Sequence, residues 1–173
     1  MRGRLPSRMV TGPAAVPLAR LVTALAAVGV LTGCAAAGSD VPRDAVGRVT
    51  ESARTSAWSL EVGDCTAALD ASGSLETVDV VPCEEPHAFE VFASRSMTEP
   101  TFPGMQRAGE DAQRECRAEF TAFVGVPLEG SRYTVFFLHP TQRSWDEQTD
   151  REVLCLAGRR DGGVTGSLKD VRE

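Results

Sequence analysis

The chain has 173 residues, with 18 Lys and Arg against 24 Asp and Glu for a net charge of −6, and 42% of its residues are apolar. That acidity argues against nucleic acid or anionic lipid headgroups as partners, since both would repel it. The length suits one domain with a modest core, which excludes a two-lobed solute-binding protein. There is no Asn, no Ile and a single Lys beside many Ala, Gly, Val and Arg, a bias that a GC-rich genome produces, so the arginines do not amount to a basic patch.

Arg2, Arg4, Arg8 and Arg20 come before any acidic residue, and an apolar or small run follows from Leu21 to Leu31. A basic segment followed by a short apolar one is a secretion signal. At about 1.5 Å per residue the run reaches only about half of a hydrocarbon core of roughly 30 Å, too short for a permanent transmembrane helix. It ends in Leu31-Thr32-Gly33-Cys34, which resembles the bacterial lipoprotein signal, whose cysteine is made into a diacylglyceryl thioether before cleavage. That resemblance implies a signal peptide over 1–33 and Cys34 as the lipidated first residue of the mature chain, held on the outer face of the cell membrane. Acyl chains such as palmitate contribute about 0.8 kcal/mol per buried methylene, so two or three together anchor firmly. Without the four arginines of the signal, 14 basic residues face 24 acidic ones, a net charge of −10.

Residues 34–57 are small and polar without apolar periodicity and read as a flexible tether, with room for a short helix from Val46 to Ala53. The folded domain is expected over 58–168, and 169–173 as a frayed tail. Besides Cys34 there are four cysteines, Cys65, Cys83, Cys116 and Cys155. An even number in a small exported domain implies two disulfides. The expected pairs are Cys65–Cys83, which flank one strand turn, and Cys116–Cys155, on a helix and a later strand that should pack together. Each link is worth about 3 to 4 kcal/mol by loop entropy. Zinc held by four cysteines, or a thioredoxin-like redox role, would call for a C-x-x-C pair, and none is present.

In the run 59–65 a short strand ending at Gly63 is expected, and another at 75–83, with a turn at 71–74 between them, and a third strand at 87–96 follows through a tight connection as a hairpin. Met105, Ala108, Ala112, Cys116, Phe120, Phe123 and Val124 recur at spacings of three and four, the stripe of an amphipathic helix, with Pro103 suited to its first turn and Gly125 to its end. The runs 131–140 and 151–159 are apolar on alternate faces, as central strands under a helix would be. The predicted fold is α+β, an antiparallel sheet of about five strands with one long helix packed on a face and two disulfides.

The fragments VGDC (62–65), VVPCEEPHAFEVFA (80–93), the helical Cys116, HPTQRSWDEQTDREVLC (139–155) and TGSL (165–168) together resemble the septum formation domain of actinobacterial cell-envelope proteins. The similarity runs through nearly all of 59–168 in the same order. It implies an exported or membrane-anchored protein tied to division, and it implies no enzymatic activity, cofactor or catalytic residue. The chain departs from the pattern at Ala88, where an acidic residue commonly follows the histidine, and at Thr149, where a glycine often precedes the Asp-Arg pair.

His87, Glu90, Glu85 and His139 are the candidates for a metal site, because zinc accepts imidazole and carboxylate ligands when three or four converge. Strand alternation separates His87 from Glu90, so a pinned turn with solvated Glu84 and Glu85 is the expected arrangement. Trp145, flanked by Arg143 and Asp146, is a candidate contact for sugar or protein in a polar loop, or else a lid on the core. No G-x-S-x-G, H-E-x-x-H or phosphate-binding glycine loop occurs. Three functions remain: a non-catalytic, lipid-anchored interaction module that meets an envelope or division-site protein, a small cell-wall or carbohydrate-binding module, and a metal-dependent enzyme using His87. No catalytic residue, bound metal or cofactor is expected under the first.

Overall fold

The structure, a computed structural model, describes residues 41–70, 75–160 and 162–173. The signal peptide, Cys34, residues 35–40 and the turn expected at 71–74 lie outside the described residues. Six strands, β1 (Ala53–Ser56), β2 (Cys65–Thr66), β3 (Thr77–Val81), β4 (Phe89–Ser96), β5 (Thr134–Leu138) and β6 (Glu152–Gly158), form one curled antiparallel sheet in the order β1-β3-β2-β4-β6-β5. Helix α1 spans Met105–Val124, and a short helix α2 spans Gln142–Glu147.

Several expectations change in position. The sixth strand is β1, which lies in the stretch read as tether, so the folded part extends N-terminal to Trp58. Val41, Val49 and Ala57 are buried in the core, and 43–49 close into a turn through an Arg43–Val49 bridge in place of a helix. Residues 59–63 are not strand, because Ala57–Ser59 form a 3-10 turn and only Cys65–Thr66 pair. The expected hairpin of β3 with β4 does not form, because β2 lies between them and pairs with both. Strand β5 is an edge strand with all five residues half-buried, while β6 is internal. The tail is not frayed either: Asp170 N–H donates to the Phe123 carbonyl and Arg172 N–H to the Val124 carbonyl, each at 2.8 Å. Those bonds satisfy carbonyls that the last turn of α1 leaves without an intrahelical partner.

Alternation along the strands divides the core between the two faces of the sheet. Ala112, Cys116, Phe120 and Val124 of α1 pack on Val153, Cys155 and Ala157 of β6 and on Phe92 and Ala93 of β4. A register shift between Val91 and Ala93 lets Phe92 turn to this side, where it stacks on Phe123 at 5.2 Å and meets Phe120 edge-on at 6.2 Å. The other face gathers Val78, Val80, Phe89, Val91, Leu154 and Leu156 beneath Val41, Val49 and Leu60. Each fully buried side chain of this size contributes about 1.5 to 3 kcal/mol. Cys116 is bonded to Cys155, joining α1 to β6, and Cys65 is bonded to Cys83, joining β2 to the β3–β4 connection.

Candidate functional site

The segment Cys83 to Glu90 is spent on the fold. His87, 2% exposed, pairs its backbone with Val164 in both directions, and its Nδ1 lies 2.9 Å from the Glu85 carbonyl oxygen. A carbonyl only accepts, so Nδ1 carries the proton. The buried Nε2 has no hydrogen-bond partner among the described residues. Glu90 is buried and accepts from Ser167 Oγ at 2.8 Å and Leu168 N–H at 2.6 Å, holding the C-terminal segment against the sheet. Glu84 and Glu85 are exposed, and His139 lies against α1, where a Cβ built at Gly109 would come within 3.5 Å of its Nε2. The structure does not bring these candidates together. Among the described residues no group of three or more His, Cys, Asp or Glu could hold a metal ion.

Trp145 is not an exposed contact. The sequence Thr141-Gln-Arg-Ser144 forms a capping box that starts α2, with Thr141 Oγ1 accepting from Ser144 N–H at 3.0 Å. The helix turns Trp145 inward to 3% exposure, where the Arg151 guanidinium lies 3.6 Å from its ring centroid and Phe102 lies 5.7 Å away. Arg151 also donates to the carbonyls of Trp145 and Asp150. The tryptophan is therefore the lid of the core, fixed by a cation–π contact.

A part-buried ion pair went unread in the sequence. Arg43 grips Asp64 through two bonds of 2.6 and 2.8 Å, and Asp64, 1% exposed, also accepts from Glu61 N–H. Its carboxylate, chiefly by hydrogen bonding, holds the Arg43 guanidinium above the ordinary arginine range against a smaller burial penalty.

Among the described residues an opening lies where the sheet curls. A cleft of about 440 Å³ is lined by Ala57 and Trp58, which follow β1, by Phe136 and Leu138 of β5, by Leu154 of β6 and by Met105 of α1. Since β1 and β5 are the two edges of the sheet, the curl brings both edges to one cleft. An exposed ion pair spans from α2 to the residue before β3, Arg143 to Glu76 at 3.6 Å. His139, Thr141, Asp150 and Glu152 supply polar atoms around the apolar wall. Beside it lies a polar groove of about 360 Å³, lined by Ser96, Gln148, Thr149 and Arg151, which shares Trp58, Asp150 and Glu152 with the cleft. Trp58 is 41% exposed and Met105 53%, so two of the exposed large apolar side chains among the described residues stand at this opening. Trp58 had no signal beyond its identity, because only the curl of the sheet sets it opposite β5.

A family model described as septum formation matches residues 41–170. An uncharacterised membrane protein of Mycobacterium tuberculosis (strain H37Rv) is 30% identical over 105 residues, which cover 54% of this chain and 22% of that protein. The candidate lipoprotein LppN of the same strain is 33% identical over 125 residues, covering 69% of this chain and 68% of LppN, and its Mycobacterium bovis counterpart gives the same figures. The chain thus spans about a fifth of the length of the membrane proteins it matches. No solved structure matches.

Proposed function

Because the chain belongs to the septum formation family, we propose that it is a lipid-anchored protein on the outer face of the cell membrane that takes part in cell division by binding and not by catalysis. The observation that carries this reading is the cleft between the sheet edges, whose apolar wall and polar rim have the composition of a receptor site. The anchor is Cys34 in Leu31-Thr32-Gly33-Cys34. A relative described as a candidate lipoprotein and others described as membrane proteins support an envelope location. The test is a fluorescent fusion in the native host combined with depletion. The expected result is enrichment at the division site and delayed septation. An even envelope distribution with unchanged cell length on depletion would overturn the division role.

A sugar-binding role is favoured at Trp58 in place of Trp145, because Trp58 alone of the two is exposed beside polar side chains. Sedimentation with isolated cell walls should fall for Trp58→Ala and stay unchanged for Trp58→Phe. Equal sedimentation of wild type and Trp58→Ala would rule that contact out.

A further inference from the structure

We infer that the apolar cleft and the polar groove beside it form one site for an amphiphile with a single hydrocarbon chain and an uncharged, hydroxyl-rich head, the chemistry of a glycolipid. The inference rests on the binding role proposed above. The two hollows share Trp58, Asp150 and Glu152, so a molecule lying across that boundary would touch both. The cleft of about 440 Å³, floored by buried Leu154 and walled by Phe136 and Leu138, suits an alkyl chain.

The groove selects the head. Among the described residues Arg151 is the one cation lining it, and its guanidinium is committed to the Trp145 ring and two backbone carbonyls. Two carboxylates lie on the boundary, so an anionic head is repelled. Those carboxylates are themselves partly engaged: Asp150 accepts from Ser144 Oγ at 2.8 Å and from Glu152 N–H at 3.0 Å, and Glu152 accepts from Ser94 Oγ. Arg151 in the same groove offsets part of their negative charge, and their remaining lone pairs accept from hydroxyl donors. Ser96, Gln148 and Thr149 add neutral donors and acceptors, and the exposed Trp58 ring offers a flat face for a sugar ring. Thr149 holds φ at +55°, a left-handed conformation that a β-branched residue rarely adopts, in the loop that forms this wall.

The test is calorimetric titration of the full chain carrying Cys34→Ser, which has no acyl acceptor, with n-octyl glucoside below its micellar concentration. Binding is expected, with octyl phosphate, octylamine, octanol and free glucose each weaker by about tenfold or more. Trp58→Ala and the exposed Gln148→Ala should each weaken the glucoside by about tenfold, and Gln148→Ala should leave octanol unchanged. Equal binding of octyl phosphate or octylamine would overturn the uncharged head, and equal binding of octanol would overturn the groove's part. Absence of glucoside binding, or undiminished binding by Trp58→Ala, would overturn the site. If the glucoside fails while the fusion still marks the division site, the amphiphile site falls and the division role stands; if both fail, both readings fall.

Discussion

Thr149 stands where the resembling domains often carry glycine, and its φ of +55° gives the physical reason. The left-handed region costs a residue with a Cβ about 1 to 2 kcal/mol, of which glycine's extra unfolded-state entropy returns a part. Thr149→Gly should therefore raise stability by about 1 kcal/mol, read as a higher melting temperature. Asp64 is the opposite case, a side chain whose loss is severe. Asp64→Ala leaves the Arg43 side chain, 15% exposed, with the Gly47 carbonyl but without its bidentate partner, and should cost about 2 to 3 kcal/mol in denaturant unfolding. Gly158 has no freedom to change, since a Cβ there would lie 1.9 Å from the Ala88 carbonyl oxygen. Tyr133, the single tyrosine, gives a pH signal. Burial first, and the Glu173 carboxylate second, push its phenol above the ordinary value of 10.0. A raised folded value means that stability held below pH 10 is lost as pH climbs through the folded midpoint. The tyrosinate absorbance should rise at higher pH in the folded protein than in denaturant, and Glu173→Gln should narrow the gap. Little of this residue chemistry was legible in the sequence. Asp64 and Arg43 are 21 positions apart, and Trp145 reads as a loop residue until the capping box places it on a buried helix face.

At the scale of elements, α1 was the most legible, because twenty residues carry an unbroken stripe at helical spacing and glycines stand at both ends. Cys116 sits on that stripe, so the helix brings it to the sheet and to Cys155. The alternation of β3 was equally readable, with Thr77 and Asp79 exposed and Val78 and Val80 buried. Strand order was not, since β2 has only two residues and gains its place between β3 and β4 from pairing on both sides. Nor was β1, because its four residues ARTS look polar and become a strand only by pairing with Thr77–Val80. The disulfides close loops of 18 and 39 residues, worth about 3 and 4 kcal/mol respectively if loop entropy dominates. Replacing Cys116 and Cys155 together by Ala should thus cost more in unfolding free energy than replacing Cys65 and Cys83. Equal losses would show that local packing, not loop length, sets the contribution. Glu90 acts between elements, and Glu90→Ala removes the acceptors of buried Leu168 N–H and of the exposed Ser167 hydroxyl. Hydrogen exchange should accelerate at Leu168 first.

For the whole molecule, the boundary of the domain matters most. A chain beginning at residue 58 lacks β1, Val41, Val49 and Arg43, so it should lose the dispersed amide spectrum that a chain beginning at 41 keeps. The cleft was beyond the sequence because it is made by curvature: its walls come from residues about 80 positions apart, Ala57 and Phe136 among them. The packing of Val41 and Arg43 also determines distance. A tether running to residue 57 would let the domain roam up to ~80 Å from a lipid on Cys34. With Val41 already inside the fold, only residues 35–40 intervene, and the fully stretched chain reaches ~25 Å. Given the proposed anchor, the domain stays within about its own width of the lipid headgroups, and whatever the cleft takes must be met in that layer, not drawn from the depth of the wall.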